Sequence, residues 1–208
     1  MKIVLIGPPG SGKGSQAKLI QKTFNIPHIS TGNIFRVMMH EDTSLGREIY
    51  KYMSQALLVP DELVIEVMQE YLKRDELLEN LLLDGFPRTL DQAIELDKII
   101  DIDFAVLLDT DLDVVKKRVL TRRICSNCGE VYNTVSYDKD HCYVCGSELK
   151  TRKDDKEEII KMRFSEYEQL TKPVIDYYEK QGKLKHINGD QPINVIFETI
   201  KKIILSGL

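Results

Sequence analysis

The sequence has no excess of basic residues. Lys and Arg number 29 against 33 Asp and Glu, a formal net charge of -4 over 208 residues. A protein that coats nucleic acid presents a basic surface, so that class is set aside. Any polyanion site must be a local gathering of cations. Long apolar runs are lacking as well. None approaches the length of a membrane span, and Met1 to Ile6 is too short for a secretory signal before glycines begin. The expectation is a soluble, cytoplasmic chain, one large domain or a core with insertions. No internal repeat and no low-complexity segment interrupts it. Hydrophobic residues at 42% and charged residues at 30% form a globular balance that excludes wholesale disorder.

Cysteine is missing from all but 21 consecutive residues. Cys125, Cys128, Cys142 and Cys145 stand in a C-x2-C-x13-C-x2-C pattern. A disulfide framework spreads its cysteines to staple distant segments. Four thiolates at this spacing instead suit a closed, tetrahedral structural zinc. Gly129 and Gly146 follow the second cysteine of each pair. They let the backbone fold back so that its N–H groups face the sulfurs, with a short hairpin expected between the two knuckles. His141 is an alternative ligand that four cysteines do not need. Two disulfides, or incidental thiols, are the competing readings.

What is present reads as alternating strands and helices. Lys2–Ile6 is a short apolar, β-branched run that suits a strand buried on both faces. Ala17, Ile20 and Phe24 then recur at helical spacing over 13–24. Further strands are expected at 26–29, 81–84, 104–108 and 184–187. Helices are expected from Ser30 and Thr31, read as caps, to Met39, then at 44–55, 61–73, 89–100, 111–120 and 193–205. Asp155 with Glu158 resembles a capping box opening a long helix, which Pro173 should kink or split. This alternation predicts an α/β fold: a five-stranded parallel sheet with helices on both faces. Residues 122–155 carry the cysteines and few aliphatics, and break the alternation as a small insertion.

Between the first strand and helix lies Gly7-Pro-Pro-Gly-Ser-Gly-Lys13, which fits G-x-x-x-x-G-K. Gly10, Gly12 and Gly14 let the backbone turn N–H groups around phosphate oxygens, and the helix N-terminus adds its positive end. Lys13 would reach the β- and γ-phosphates. The usual next residue is a Ser or Thr that holds magnesium. Here it is Gly14, followed by Ser15. A Gly-rich turn that merely joins strand to helix is the plain alternative, and the strand-loop-helix context counts against it.

The cations are unevenly spread. Only nine arginines accompany twenty lysines, and Arg36, Arg88, Arg122, Arg152 and Arg163 fall in distinctive segments. Arg pairs bidentately with phosphate oxygens through its rigid fork. Arg47 and Arg74 read as surface charges, and spacing gives Arg123 no role. Arg163 shares a helix side with Ile160, Phe164 and Tyr167, where a cation needs a partner.

The chain resembles the adenylate kinase family in its bacterial zinc-containing form. The resemblance rests on GPPGSGKG at 7–14, STGNIFR at 30–36, LLLDGFPRT at 81–89 with Gln92, RRICSNCG at 122–129 and TRKDDKEE at 151–158. It covers essentially the whole sequence. It implies transfer of a phosphoryl group between ATP and AMP, giving two ADP, with Mg2+ accompanying ATP and one structural Zn2+ on the four cysteines. It implies a P-loop kinase core at 1–29, 60–121 and 156–208, a monophosphate-binding segment at 30–59 and a lid at 122–155. It also implies a monomer with no nucleic-acid or membrane partner. The ATP site would comprise Gly10, Ser11, Gly12, Lys13, Gly14 and Ser15, with Arg118 against adenine, Arg122 over the phosphates, and Val131, Tyr132 and the Gln191 backbone completing the pocket. The AMP site would comprise Thr31, Arg36, Leu57, Leu58, Val59, Gly85, Phe86, Pro87, Arg88 and Gln92. Arg152 and Arg163 would grip the phosphates from the long-helix side. Catalysis would fall to Lys13, Arg88, Arg122, Arg152 and Arg163, with Asp84 orienting magnesium waters. Asn33 replaces a usual Asp, Ser15 a usual Thr, Asn133 a usual His, and Gln191 often appears as Lys. Kinases for UMP or CMP and a zinc-ribbon nucleic-acid module are the competing functions. Thr31 and Gln92 favour adenine over the first, and the acidic balance disfavours the second.

Overall fold

The structure is a computed structural model that describes residues 1–73 and 79–206. Arg74 lies outside them. The elements are β1 (Lys2–Ile6), α1 (Lys13–Phe24), β2 (His28–Ser30), α2 (Thr31–Met38), α3 (Ser44–Met53), α4 (Asp61–Leu72), β3 (Leu81–Asp84), α5 (Leu90–Asp97), β4 (Phe104–Asp109), α6 (Leu112–Leu120), β5 (Arg122–Cys125), β6 (Val131–Asn133), β7 (Leu149–Lys150), α7 (Glu157–Leu170), α8 (Lys172–Lys180), β8 (Leu184–Asn188) and α9 (Ile193–Ser206). Five strands form the expected sheet in the order β2-β3-β1-β4-β8, and every pairing in it is parallel.

The apolar strands divide their side chains between two cores with period two. Ile3, Leu5, Leu82, Val106 and Leu108 pack with Ala17 and Ile20 of α1 and Ile196, Ile200 and Ile204 of α9. Val4, Ile6, Leu81, Leu83, Ala105 and Leu107 pack on the opposite side with residues of α2, α3, α4, α5 and α8. Covering on both faces explains why these strands carry almost no polar residue. All strand C-terminal ends share one edge of the sheet, and the loops there carry the site.

Several boundaries differ from expectation for identifiable reasons. Ser30 sits at the N-cap of α2 but makes no side-chain cap bond. Thr31 donates its hydroxyl to Gly85 O at 2.9 Å, so it fastens α2 to the β3 loop rather than capping a helix. The expected helix at 89–100 ends at Asp97, where Ile99 N–H bonds back three residues to Leu96 O and tightens the last turn. The capping box at 155–158 is absent. Lys156 is the N-cap of α7, without a side-chain cap bond. The Asp155 carboxylate instead pairs with Arg122, a charge-assisted contact stronger than a neutral cap. Pro173 does split the long helix, standing in the first turn of α8 after the break at Thr171.

Residues 122–155 form a three-stranded antiparallel sheet in the order β6-β5-β7. The hairpin expected between the knuckles lies elsewhere: β5 and β6 flank the first knuckle. Few aliphatics are available there, and the described core clusters take none from β5, β6 or β7.

Leu82 is fully buried in β3 between two neighbouring strands. Leu82→Ala should cost about 2–5 kcal/mol of stability through lost burial and the cavity left behind. Urea unfolding followed by circular dichroism should show a lowered midpoint with an unchanged slope.

Candidate functional site

Gly10 lies in the left-handed region at φ +89. A Cβ there would stand 2.5 Å from Val119 Cγ2 and 3.1 Å from Val115 Cγ1. The loop after β1 therefore packs against α6 at a distance that only glycine allows. Gly12, at φ +101, caps α1, and the helix N-terminus opens into the loop. Lys13 folds its ammonium back onto loop oxygens, 2.6 Å from Gly7 O and 2.9 Å from Pro8 O. Burial lowers the Lys13 pKa to about 8, while Asp84 opposes the shift and Arg88 adds to it. Gly14 sits against Asp84: a Cβ on it would be 3.5 Å from Asp84 Oδ2. Ser15 follows on the first turn of α1.

Asp84 ends β3 and faces His28 of β2, with Nε2 3.7 Å from Oδ2. Burial acts to raise its pKa, but His28, Lys13 and Arg88 together hold it below the ordinary carboxylate value. Gly85 follows at φ +83. A Cβ here would lie 2.8 Å from Thr31 Oγ1 and 3.1 Å from Arg88 Nη2. Both side chains converge on this residue, and its carbonyl accepts from Thr31 Oγ1 and from Arg88 Nε, each at 2.9 Å.

The arginines gather from three elements and two connecting loops. Arg36 on α2 donates to Asn33 Oδ1 at 2.6 Å. Arg122 opens β5 and pairs with Asp155, Nε to Oδ2 at 2.9 Å. Arg163 on α7 donates to Asp154 Oδ2 at 2.6 Å. The Arg152 guanidinium makes no hydrogen bond to any described residue, while its carbonyl accepts from Asp155 N at 3.1 Å. Burial, then Arg36 and Arg122, lower its pKa to about 10 against the pull of Asp154 and Asp155. Burial also lowers the pKa of Arg36, with Asp154 opposing and Arg122 and Arg163 adding. The same holds for Arg88, with Asp84 opposing and Arg163 and Arg36 adding. Guanidinium groups this close repel one another, and Asp84, Asp154 and Asp155 are the anions that stand among them.

Arg118 on α6 donates to Ser11 O at 3.1 Å, Gly189 O at 2.7 Å and Gln191 O at 3.1 Å. It thereby ties the phosphate loop to the loop after β8 and brings three expected nucleotide residues together. Tyr132 is placed differently. Its hydroxyl accepts from Tyr143 N at 3.0 Å and lies 3.1 Å from Cys142 Sγ, so the side chain belongs to the cysteine cluster. In the β5–β6 ladder its backbone is opposite Arg123 and that of Val131 opposite Ile124, while Asn133 is opposite Arg122. Asn133 bridges Thr121 Oγ1 and Val135 N at 2.8 Å each and closes the turn after β6. Arg123 donates to Arg122 O. Leu57 is exposed and Val59 buried in the segment leading to α4, with Leu58 between. Phe86 is buried and Pro87 follows it through a cis peptide. Gln92 is 3% exposed, which excludes an exposed surface glutamine.

Asp154 and Asp155, the counterions of the cleft, were not expected there. Their signal was local: two acids beside Arg152. Asp61, which bonds Gln92 Nε2 at 2.7 Å, comes from 31 residues away and gave no such signal.

The four cysteine sulfurs lie within 4.8 Å of one another. Neighbouring sulfurs stand 3.4 Å, 3.6 Å and 3.7 Å apart, and all four cysteines are free, so the two-disulfide reading is excluded. Sulfurs about 2.3 Å from a tetrahedral ion would stand about 3.8 Å apart, so the spacing suits one. Asn127 N and Cys128 N both face Cys125 Sγ at 3.4 Å, as the knuckle turn requires. His141 bonds Asp140 instead. Among the described residues, no helix is long and apolar enough to cross a membrane.

Occupation of the phosphate loop should return a proton to Lys13, because an anion favours the charged amine. Calorimetry of tripolyphosphate binding in buffers of different ionisation enthalpy should show proton uptake near pH 8 that fades toward pH 7. Lys13→Met should abolish it.

A family model described as adenylate kinase matches residues 5–183. An adenylate kinase of Clostridium acetobutylicum is 43% identical, covering 98% of this chain and 99% of the relative. One from Clostridium perfringens is 44% identical over 98% of each. One from Geobacillus sp. strain WCH70 is 43% identical over the full length of both. With the loop, the converging cations and these full-length matches in agreement, the chain belongs to the adenylate kinase family of phosphotransferases.

Proposed function

We propose that the protein moves the γ-phosphoryl group of ATP to AMP, reversibly, giving two ADP. The observation that carries this is the convergence of Lys13, Arg36, Arg88, Arg122, Arg152 and Arg163 on one cleft, where burial and neighbouring cations disfavour the charged forms of Lys13, Arg36, Arg88 and Arg152. Two polyanions repel, and fixed cations that hold them in line supply both proximity and charge stabilisation. The loop at 7–15 would hold the ATP phosphates, with Arg118 against the adenine and the Gln191 backbone beside it. Thr31, Arg36, Arg88, Gln92 and the turn at 85–87 would hold AMP, alongside 57–59. Arg122, Arg152 and Arg163 would span the two, exchanging Asp155 and Asp154 for phosphate. No general base is required. A monophosphate with a second pKa of about 6 is already mostly dianionic at neutral pH.

Bound Mg2+ would neutralise charge between the β- and γ-phosphates. Asp84 fits this role through water, since its carboxylate is kept ionised beside the loop. Gly14 offers no hydroxyl, which leaves Ser15 as the nearby one. The reading treats 30–59 and 122–155 as segments that close on a core and exclude water. It treats the protein as a cytoplasmic monomer. The cysteines would hold one Zn2+, structural because four thiolates leave no open position.

A coupled assay of ATP against AMP, GMP, UMP and CMP should show preference for AMP. Lys13→Ala should remove most turnover with the melting temperature unchanged, and Arg88→Ala should lower kcat about 10²-fold or more. Near-native activity in either variant would refute the cleft as the site.

Metal analysis should give one zinc per chain. Chelation with thiols kept reduced should lower the melting temperature, with amide protection lost first in 122–155, while part of the activity survives in the cold. A metal-free protein that melts unchanged would refute the structural role.

A further inference from the structure

Gln92 has an amide whose two ends are held by partners of opposite and fixed character. Its Oε1 accepts from the Arg88 backbone N–H at 2.8 Å. Its Nε2 donates to Asp61 Oδ1 at 2.7 Å. A backbone N–H can only donate and an ionised carboxylate can only accept. The amide therefore has one allowed orientation. Turning it over would set N–H against N–H at one end and two acceptors against each other at the other.

Asp61 is itself fixed. It is the first residue of α4, and its Oδ2 accepts from Thr89 Oγ1 at 2.5 Å. The Thr89 oxygen in turn accepts from Gln92 N at 3.3 Å, as the N-cap of α5. The α4 start, the α5 cap and the Gln92 amide thus form one connected unit. The contact to Arg88 N joins that unit to the turn that carries Arg88.

An amide has two N–H groups and an oxygen with two lone pairs. After the two contacts above, Gln92 retains one donor and one acceptor, in a fixed order. That order matters for a purine edge. Adenine offers an acceptor at N1 and a donor at the 6-amino group. Hypoxanthine offers the reverse, a donor at N1 and an acceptor at O6. A freely turning amide pairs with either. A locked amide pairs with one.

We infer that Asp61 is a specificity-determining positioning residue: by locking the Gln92 amide it selects a 6-amino purine monophosphate and rejects the 6-oxo analogue. This rests on the reading of Gln92 as the group that meets the acceptor base. Discrimination here comes from an unpaired buried polar group in the wrong complex, which costs more than a lost contact. Asp61 touches no substrate in this scheme and acts through Gln92.

The test compares AMP with IMP as acceptor at saturating Mg-ATP, in Gln92→Ala, Asp61→Ala, Asp61→Ser and Asp61→Asn. Asp61→Ala removes the acceptor, and Asp61→Ser supplies a hydroxyl that both donates and accepts. Both should raise the KM for AMP about fivefold and raise the IMP-to-AMP ratio of kcat/KM, with kcat and the KM for ATP near native. Asp61→Asn can offer Gln92 either an acceptor oxygen or a donating N–H, so it too should raise the IMP-to-AMP ratio. The serine variant keeps the test open should the alanine variant not fold. Native selectivity in Asp61→Ala and Asp61→Ser, alongside an impaired Gln92→Ala, would overturn the lock while leaving the base reading intact. Equal losses toward ATP and AMP would overturn it as well, marking a merely structural role. An unchanged KM for AMP in Gln92→Ala would overturn the base reading, and the lock with it.

Discussion

Mutual repulsion among cations organises this protein. Lys13, Arg36, Arg88 and Arg152 are each buried enough to lose part of their preference for the charged form, and each feels at least one other cation of the set. Nothing in a hydrophobic core would bring them together. Their approach is tolerated because Asp84, Asp154 and Asp155 stand among them, and because the backbone carbonyls of Gly7, Pro8 and Gly85 accept their protons. These are weaker substitutes for a phosphate, which offers several anionic oxygens to the same donors.

The sheet makes that arrangement affordable. Both faces of β1, β3 and β4 are covered by apolar helices, so the strand ends are rigid points. The glycine at 10 lets the phosphate loop approach α6, and the glycine at 85 lets Thr31 and Arg88 converge on one carbonyl. Arg118 then ties the loop to the chain beyond β8. Rigid ends and close backbone packing hold cations at fixed distances, which flexible loops alone do not do.

The insertion at 122–155 follows a different logic. Its three short strands bury little apolar surface, and four sulfurs stand at its centre, with Tyr132 closing over Cys142. A unit of this size without an apolar core depends on a covalent or metal staple. Charge links it to the rest, Arg163 of α7 to Asp154 at 2.6 Å and Lys18 of α1 to Glu130 at 2.9 Å, while Arg122 and Asp155 pair its own two ends. The exposed Lys18 pair contributes little stability. The buried Arg122 pair fixes where the guanidinium points.

Much was determined by the sequence alone. The buried strands are legible because covering on both faces demands uninterrupted apolar residues. The phosphate loop is legible because the left-handed backbone at 10 and 12 favours glycine, although Gly14 proves to be an ordinary helical residue, and the cysteine cluster because its four sulfurs come from two short local pairs. Those signals span a few residues each, and so survive without a folded context. Asp155 shows where this stops. Its spacing to Glu158 makes a sound capping box, yet a half-buried arginine from 33 residues away claims the carboxylate. Tyr132 went to a cysteine, and Gln92 found Asp61 across 31 residues. In sequence these side chains carried other expectations: a local cap for Asp155, a nucleotide pocket for Tyr132 and a base contact for Gln92. Tertiary structure decided among them, because burial makes an unpaired charge or amide costly and the best partner within reach is set by the fold, not by the chain.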